Sequence, residues 1–196
     1  MKSLKSNSVQ EQVLLSCKSD YFIRGISLVQ EVVITAYKSD WIREFEKEKK
    51  KISEALSSSA IQIEHIGSTS IAGMPAKPIL DIAVSVNHLD EADLFIEPLR
   101  TLGYEYVPKL EFPNRRFFRK GECKKGTHHL HIYECSSDEW GNNLLFRNYL
   151  RSHPEQAAAY AELKKHLASL YVEDRTTYTL RKAPFIQSII ELAQKE

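Results

Sequence analysis

The sequence has few cysteines and no long apolar run, and each absence excludes a class of protein. Its 196 residues include only three cysteines, Cys17, Cys123 and Cys135, which are too few for a disulfide-stabilised scaffold and typical of a reducing compartment. No apolar stretch approaches the roughly 18 to 20 residues that span a bilayer, and residues 1–10 lack the apolar core of a signal peptide. We therefore expect a cytoplasmic protein with no membrane contact.

An excess of charge of one sign is also lacking. Lys and Arg number 27 and Asp and Glu 26, so the formal net charge is +1 and no global field attracts a nucleic-acid duplex or an anionic membrane. Any basic site must be local, which favours a small phosphorylated ligand. A content of 42% hydrophobic and 27% charged residues is typical of one globular domain, and it carries no signal about oligomeric state.

Hydrophobic periodicity divides the chain into an extension and a domain. Residues 1–30 show no clear period or caps and form an N-terminal extension of unknown role, whereas residues 31–196 form the domain. Period-two alternation predicts strands over residues 32–34, 61–66, 79–86 and 104–107, and a hairpin over 115–135. Helical spacing and caps predict helices over residues 40–56, 90–102, 138–151, 154–171 and 178–195, with Asn87 as an alternative start of the second. They also predict a capping box from Ser152 and a break or restart at Pro184. This order predicts an α/β (α+β) fold, with helices packed on one side of a mixed sheet and a helical C-terminal third.

Residues 63–86 join a shaped loop to a strand with a single carboxylate, Asp81. Glycines, prolines and a lysine punctuate the segment from Gly67 to Pro78, which predicts a fixed loop of the kind that binds ligands. Gly67 permits close backbone approach, Ser68 and Thr69 offer donors, and Lys77 adds positive charge, a combination suited to phosphate. The residue order matches neither a Walker A nor a Rossmann motif, and a tight structural connection would need the same glycines and prolines.

The second strand of the predicted hairpin carries two histidines on one face. His129 and His131 alternate with Leu130 and Ile132, just as Asp81 alternates with apolar residues in its own strand. If the apolar residues of both strands share the core side, the histidines lie on the Asp81 side. There they can ligate a metal, transfer a proton or contact phosphate, although hydrogen-bonded histidines of no special function show the same pattern.

The first strand of the hairpin is basic. Arg115 and Arg119 share one face, and Arg116 and Lys120 share the other. The pair on the Asp81 face would help to hold an anionic ligand, because guanidinium groups match phosphate geometry. A solvated basic hairpin is an equally good interpretation of the pattern.

Three segments closely resemble the GrpB family. They are EHIGSTSIAGMPAKPILDI from Glu64, HLHIYE from His129 and DEWGNNLLFRNYLRSHP from Asp138. The resemblance covers roughly residues 31–196 and implies a nucleotidyltransferase fold, related to a domain that is fused to some dephospho-coenzyme A kinases. The activity of the family is poorly defined, so the resemblance indicates a fold more than a reaction.

The wider nucleotidyltransferase superfamily, as this resemblance implies, has Gly-Ser followed about a dozen residues later by two carboxylates one residue apart. Here Gly67-Ser68 precedes Asp81, but Ala83 stands at the position of the second carboxylate. We expect Asp81 to be the metal ligand and, with His131, a catalytic residue. The expected substrate- or phosphate-binding residues are Gly67, Ser68, Thr69, Lys77, Arg115, Arg119, His129 and, through the family pattern alone, Lys182.

The leading functional hypothesis is a nucleotidyltransferase-like protein that binds a nucleotide or phosphometabolite and transfers a nucleotidyl group with Mg²⁺. One Asp holds Mg²⁺ only when water and substrate supply the other ligands, so a non-catalytic binding module is the first alternative. A second alternative is a zinc-binding protein, although the spacing of its candidate ligands matches no known zinc finger or ribbon. Those candidates are Cys123, His128, His129, His131 and Cys135.

Overall fold

The computed structural model describes residues 31–57, 60, 62–122 and 125–196, and the predicted N-terminal extension lies outside them. Its strands are β1 (Gln62–Ile66), β2 (Leu80–Val86), β3 (Tyr104–Tyr106), β4 (Arg116–Glu122) and β5 (Lys125–Glu134). Its α-helices are α1 (Asp40–Leu56), α2 (Ile96–Thr101), α3 (Asp138–Ser152), α4 (Pro154–Leu170) and α5 (Arg175–Ala193). Two 3-10 helices cover Ser68–Ser70 and Leu89–Phe95.

The described strands form one mixed sheet in the order β1-β2-β5-β4-β3. β2 and β5 are parallel, whereas the β1–β2, β4–β5 and β3–β4 pairs are antiparallel. Cross-strand partners place their side chains on the same face, and here Asp81 lies opposite His129 and Ala83 opposite His131. The register therefore brings the predicted polar residues of β2 and β5 to one face of the sheet.

Helix α1 and the segment from Leu89 to Thr101 cover the apolar face. The helical stripe Phe45, Ile52 and Leu56 packs in one core with Ile82 and Val84 of β2, and the two β2 residues are fully buried. Leu130 and Ile132 of β5 join the same core, as their alternation predicts. The predicted α+β fold, a mixed sheet with these helices on its apolar face, is confirmed.

The C-terminal helices lie on the other side of the sheet and hold the loop that follows β1. Trp140 of α3 packs with Ile66, Ala83 and Tyr133 of the sheet. A second cluster joins α3, α4 and α5 to Ile71 and Met74 of the loop. The helical C-terminal third is thus confirmed, and it closes over the polar face. In the part of the chain that the structure describes, no helix is both long and apolar enough to cross a membrane.

The strand predicted over residues 32–34 is wrong. The N–H of Val32 donates to the carbonyl of Val172 over 2.7 Å, and Thr35 forms an isolated antiparallel bridge with Ala76. The segment therefore pairs with two loops and not with the sheet. The helix predicted over residues 90–102 is also wrong in its first half, which is 3-10. Pro98 has no N–H, so an α-helix that included Leu94 would lack a hydrogen bond there.

Two predictions about the C-terminal helices are wrong as well. Ser152 ends α3 instead of capping α4, because its Oγ donates to the carbonyls of Asn148 and Tyr149. Pro184 neither breaks nor restarts the last helix. α5 is continuous and begins earlier than predicted, after Asp174, whose carboxylate accepts a hydrogen bond from Thr177 N over 2.9 Å.

Candidate functional site

The loop after β1 is held in one shape by glycine and by hydrogen bonds. Gly67 has φ +66°, a left-handed conformation that residues with a side chain rarely adopt. Ser70 Oγ donates to Gly67 O over 2.6 Å, and Arg151 of α3 donates to Ser70 O over 2.7 and 3.1 Å. Buried Thr69 places its Oγ1 2.9 Å from Nε2 of His65. These contacts hold the loop against β1 and α3, and Gly67 lies beside Asp81 of β2.

Asp81, His129 and His131 form a cluster on the polar face, which confirms the same-face inference. Oδ1 of Asp81 lies 3.1 Å from His129 Nδ1 and 4.0 Å from His131 Nε2. Burial alone would raise the pKa of Asp81, but the hydrogen bond from His129 and the nearby His131 imidazole outweigh it and hold the pKa far below its ordinary value. Burial also lowers the pKa of His131, although Asp81 opposes that shift. The cluster is thus an ionised carboxylate beside two imidazoles.

A cavity of about 310 Å³, the basic cavity, opens over this cluster. Asp81 is the one carboxylate among its lining residues, and four cationic side chains surround it. These cations are Lys77 from the loop, Lys164 from α4, and Arg175 and Lys182 from α5. The lining therefore has four basic side chains against one carboxylate, which is the charge pattern of an anion site.

Two of these lysines are held with unusually low pKa values. Burial, with a contribution from Lys182, lowers the pKa of Lys164 from 10.5 to about 7. Burial, with Arg175 and Lys182, lowers the pKa of Lys77 to about 8, although Asp81 opposes this. Lys164 Nζ donates to Ser68 Oγ over 3.0 Å and to Pro75 O, while Lys77 lies 5.0 Å from the centre of the Tyr178 ring. An anion in the cavity would favour the charged form of both lysines.

A larger cavity of about 640 Å³, the aromatic cavity, lies beside the basic cavity. Ser68, Asp81 and Lys182 line both cavities. The remaining walls combine aromatic rings with side chains that can hydrogen-bond, including Arg115, Phe112, Tyr133, Asn143, Phe146 and Tyr160. The guanidinium carbon of Arg115 lies 4.4 Å from the centre of the Phe112 ring. This wall could accept a flat, polar group attached to a phosphate.

The structure brings the predicted site residues together with one exception. Gly67 and Arg115 line the aromatic cavity, and the other predicted residues apart from Arg119 line the basic cavity. Arg119 lies opposite His129 in the sheet, but its guanidinium forms a 2.8 Å ion pair with Glu105. It lines neither cavity, so phosphate contact by Arg119 stays a prediction.

The residues of this face do not fit two Mg²⁺ ions. Ala83 is fully buried against Tyr133 and Trp140, so apolar packing fills the position where a second carboxylate would lie. Glu64, opposite Ala83 in β1, forms a 2.6 Å ion pair with Arg147. Mg²⁺ requires near-octahedral oxygen ligands, and Asp81 alone offers a carboxylate to the basic cavity.

The alternative zinc cluster does not assemble as a unit. His128 lies opposite Lys120, on the apolar side, with its ring edge against Tyr104 at a centroid distance of 6.3 Å. It therefore faces away from His129 and His131. Cys135 is exposed, and Cys123 lies outside the described residues.

Sequence reasoning missed Lys164 and Arg175. Lys164 lies four residues after Tyr160 and three before Leu167, and all three are buried on one face of α4. A lysine at a core-facing position of a helix was therefore a usable signal. Arg175 begins α5 and has no comparable signal, because only the packing of α5 brings it to the basic cavity.

Comparison with known proteins places the chain in a family. A family model described as "GrpB protein" matches residues 31–192. The chain belongs to the GrpB family. "UPF0157 protein YqkA" of Bacillus subtilis is 37% identical over 166 residues, 85% of this chain and 48% of that protein. "Glutamate-rich protein GrpB" of Alkalihalophilus pseudofirmus is 34% identical over 164 residues, 82% of this chain and 94% of that protein. The chain thus spans about half the length of the first relative and nearly all of the second.

Solved structures agree with this assignment. The crystal structure of conserved protein GrpB from Enterococcus faecalis superposes with a TM-score of 0.77 at 38% identity, covering 83% of this chain and 98% of that chain. A relative found by sequence, and not by structure, is a dephospho-CoA kinase of Mycobacterium leprae. Part of it is 25% identical to this chain over 178 residues, 74% of this chain and 42% of that protein. A cytoplasmic RNA terminal U-transferase matches with a TM-score of 0.49 at 18% identity, a likeness of fold too weak to transfer function.

Proposed function

We propose that this GrpB-family protein binds a phosphorylated small molecule, a nucleotide or phosphometabolite, with its phosphate groups in the basic cavity. The observation that carries the proposal is the convergence of Lys77, Lys164, Arg175 and Lys182 on one cavity whose only lining carboxylate is Asp81. Like charges held together and partly buried are unfavourable without an anion, and phosphate is the common biological anion that several such groups can contact at once.

The geometry around the loop supports the same proposal. Lys164 Nζ donates to Ser68 Oγ, which fixes a serine hydroxyl at the boundary of the two cavities. Lys182 lines both cavities, so one cation can reach a phosphate that links a group in each. A ligand with a phosphate in the basic cavity would then place its organic part against Tyr133 and Asn143, where stacking and hydrogen bonding select the group.

Nucleotidyl transfer is a second candidate function, favoured by the close approach of Gly67 to Asp81. If the loop binds the phosphates of a nucleotide, Asp81 lies close enough to them to hold a metal ion or to take part in the transfer. A two-metal reaction needs a second carboxylate, and the buried Ala83 occupies its position. For this reason we propose ligand binding as the primary function. Release of pyrophosphate from a nucleoside triphosphate, with the nucleotidyl group recovered on an acceptor hydroxyl and not as free monophosphate, would establish transfer if Asp81→Asn abolishes it. Ligand binding without turnover would leave the protein a binding module.

The proposal is tested by thermal-shift measurements with matched pairs of compounds that differ only in phosphate. Suitable pairs are adenosine with AMP and ATP, and pantetheine with its phosphorylated form, because the similar proteins include a dephospho-CoA kinase. Each pair is measured in EDTA and again in Mg²⁺, with wild type and Asp81→Asn. We expect the phosphorylated member of at least one pair to raise the melting temperature in EDTA, because binding to the folded state stabilises it. No difference within any pair would contradict phosphate binding.

A further inference from the structure

The cluster of Asp81, His129 and His131 has the spacing of metal ligands. Their ligand atoms all lie within 4.8 Å of one another, and no other group of this kind was found among the described residues. His129 Nδ1 is 3.1 Å and His131 Nε2 is 4.0 Å from Asp81 Oδ1. Two ligand atoms about 2.0 to 2.2 Å from one ion lie roughly 3.0 to 3.5 Å apart at ordinary coordination angles. The first pair already has this spacing, and the second requires the His131 ring to move by about half an ångström. The two imidazole nitrogens, which lie within 4.8 Å of each other, must also come closer on binding.

The ligand types of this cluster differ from those that Mg²⁺ prefers. Two of the three are imidazole nitrogens, which suit zinc and other divalent transition metals, whereas Mg²⁺ selects oxygen ligands. Glu64, on the same face of the sheet, does not change that balance because it is paired with Arg147, and Glu111 and Glu139 line the aromatic cavity but not the basic cavity. We propose that Asp81, His129 and His131 form a binding site for one divalent transition-metal ion, with Zn²⁺ as the representative ion, at the wall of the basic cavity.

The register of the sheet brings these three ligands to one place before any ion binds. Asp81 and His129 are directly opposed on the parallel strands β2 and β5, and His131 is opposed by the small Ala83. The ion would take Nε2 of His131, the nitrogen that faces Asp81, whereas Nδ1 on the other side of the ring is buried with no hydrogen-bond partner among the described groups. Three protein ligands leave a coordination position open, which is the arrangement of metal sites that also bind a ligand.

The surrounding cations make this site sensitive to anions. Lys77 and Lys182 line the same cavity and oppose a dication by like-charge repulsion. A phosphate compound in the basic cavity would offset that repulsion, so each ligand should raise the affinity of the other by the same factor. The metal site is nevertheless tested without any phosphate compound, so its failure would leave the proposed phosphate binding standing.

The test is calorimetric titration of Zn²⁺ and Co²⁺ into the full chain in which Cys17, Cys123 and Cys135 are all replaced by serine. We expect one ion per chain, a binding constant at least tenfold weaker in His131→Ala and in Asp81→Asn, and no change in His166→Ala, an exposed histidine on α4. Absence of binding in the cysteine-free chain, or equal loss in His166→Ala, would overturn the proposal. So would Mg²⁺ binding as tightly as Zn²⁺.

X-ray absorption of the zinc-loaded cysteine-free chain provides a second test that does not depend on variants that fold poorly. We expect a first coordination shell of nitrogen and oxygen ligands that includes two imidazoles. A shell without imidazole, or with a single one, would overturn the assignment of His129 and His131.

Discussion

Gly67 and Asp81 approach each other so closely that residue 67 has no room for a side chain. A Cβ built on Gly67 would lie 2.5 Å from Oδ2 of Asp81 and 3.0 Å from its Cβ. The same glycine has φ +66°, so its backbone conformation and its surroundings both require the absence of a side chain. The loop and the carboxylate therefore behave as one unit, and displacing either displaces the other.

Gly67→Ala should destabilise the protein more than Gly73→Ala does. Gly73 has φ +76°, and no heavy atom lies within 4 Å of the point that its Cβ would occupy, so its substitution isolates the backbone cost of about 1 kcal/mol. The contact with Asp81 should add about 1 to 3 kcal/mol at position 67. Urea unfolding of the two variants measures the difference. Equal losses of stability would show that the Gly67–Asp81 contact relaxes without cost.

The low pKa of Lys164 should make stability depend on pH. The folded chain releases this proton near pH 7, whereas the unfolded chain holds it to about 10.5, so the unfolded state binds more protons between these values. The free energy of unfolding should therefore rise with pH across this window, by up to about 1.4 kcal/mol per pH unit. Lys164→Met should flatten that rise, and Lys165→Met, an exposed neighbour, should not. If the free energy of unfolding rises equally with pH in wild type and in Lys164→Met, the low pKa of Lys164 is not the cause of the rise.

The Glu64–Arg147 pair should serve structure and not metal binding. Arg147 Nη1 lies 2.6 Å from Glu64 and 3.0 Å from the carbonyl of His65, and its side chain is only 9% exposed. Glu64→Gln leaves the buried guanidinium without its counter-charge and should cost about 1 to 3 kcal/mol on unfolding in urea. Zn²⁺ titration of the same variant should match wild type. Loss of zinc binding without loss of stability would make Glu64 a metal ligand.

Restoring the missing carboxylate should damage the protein. Ala83 is fully buried among Ile66, Tyr133 and Trp140, so Ala83→Asp places an ionisable group in an apolar cluster. We expect a loss of about 2 to 4 kcal/mol at pH 7. Ala83→Leu, measured beside it, separates overpacking from charge burial. A stable Ala83→Asp protein that gains Mg²⁺ binding would contradict the view that packing has replaced the second carboxylate.

Periodicity predicted the sheet well because burial enforces it. Strand β2 must place Ile82 and Val84 in the core, and that requirement fixes Asp81 on the opposite face and, through the register, His129 beside it. The order of strands and the parallel β2–β5 pairing are long-range properties that no local pattern encodes. The signal at Pro154 correctly marked the start of α4, whereas the one at Pro184 failed, because α5 is continuous through that residue.

The positive half of the candidate site could be predicted only in part. Lys77 belongs to the glycine- and proline-punctuated loop, and Lys182 followed from the family resemblance. Lys164 and Arg175 reach the basic cavity only because α4 and α5 pack over the polar face, a tertiary arrangement that spacing along the chain does not reveal. The ion pairs that Arg119 forms with Glu105 and Glu64 forms with Arg147 are likewise not visible in the sequence.

The central claim, that the basic cavity binds phosphate, is tested most directly by titrating inorganic pyrophosphate into the protein at pH 7 in EDTA. Lys182 lines both cavities, whereas its neighbour Arg181 is exposed and lines neither. Arg181→Met therefore serves as a control, because it removes the same charge outside the cavities. We predict that wild type and Arg181→Met bind alike and that Lys182→Met binds at least about tenfold more weakly, the value of one charge-assisted hydrogen bond. Absence of binding to wild type at millimolar pyrophosphate, or equal weakening in both variants, would contradict the account.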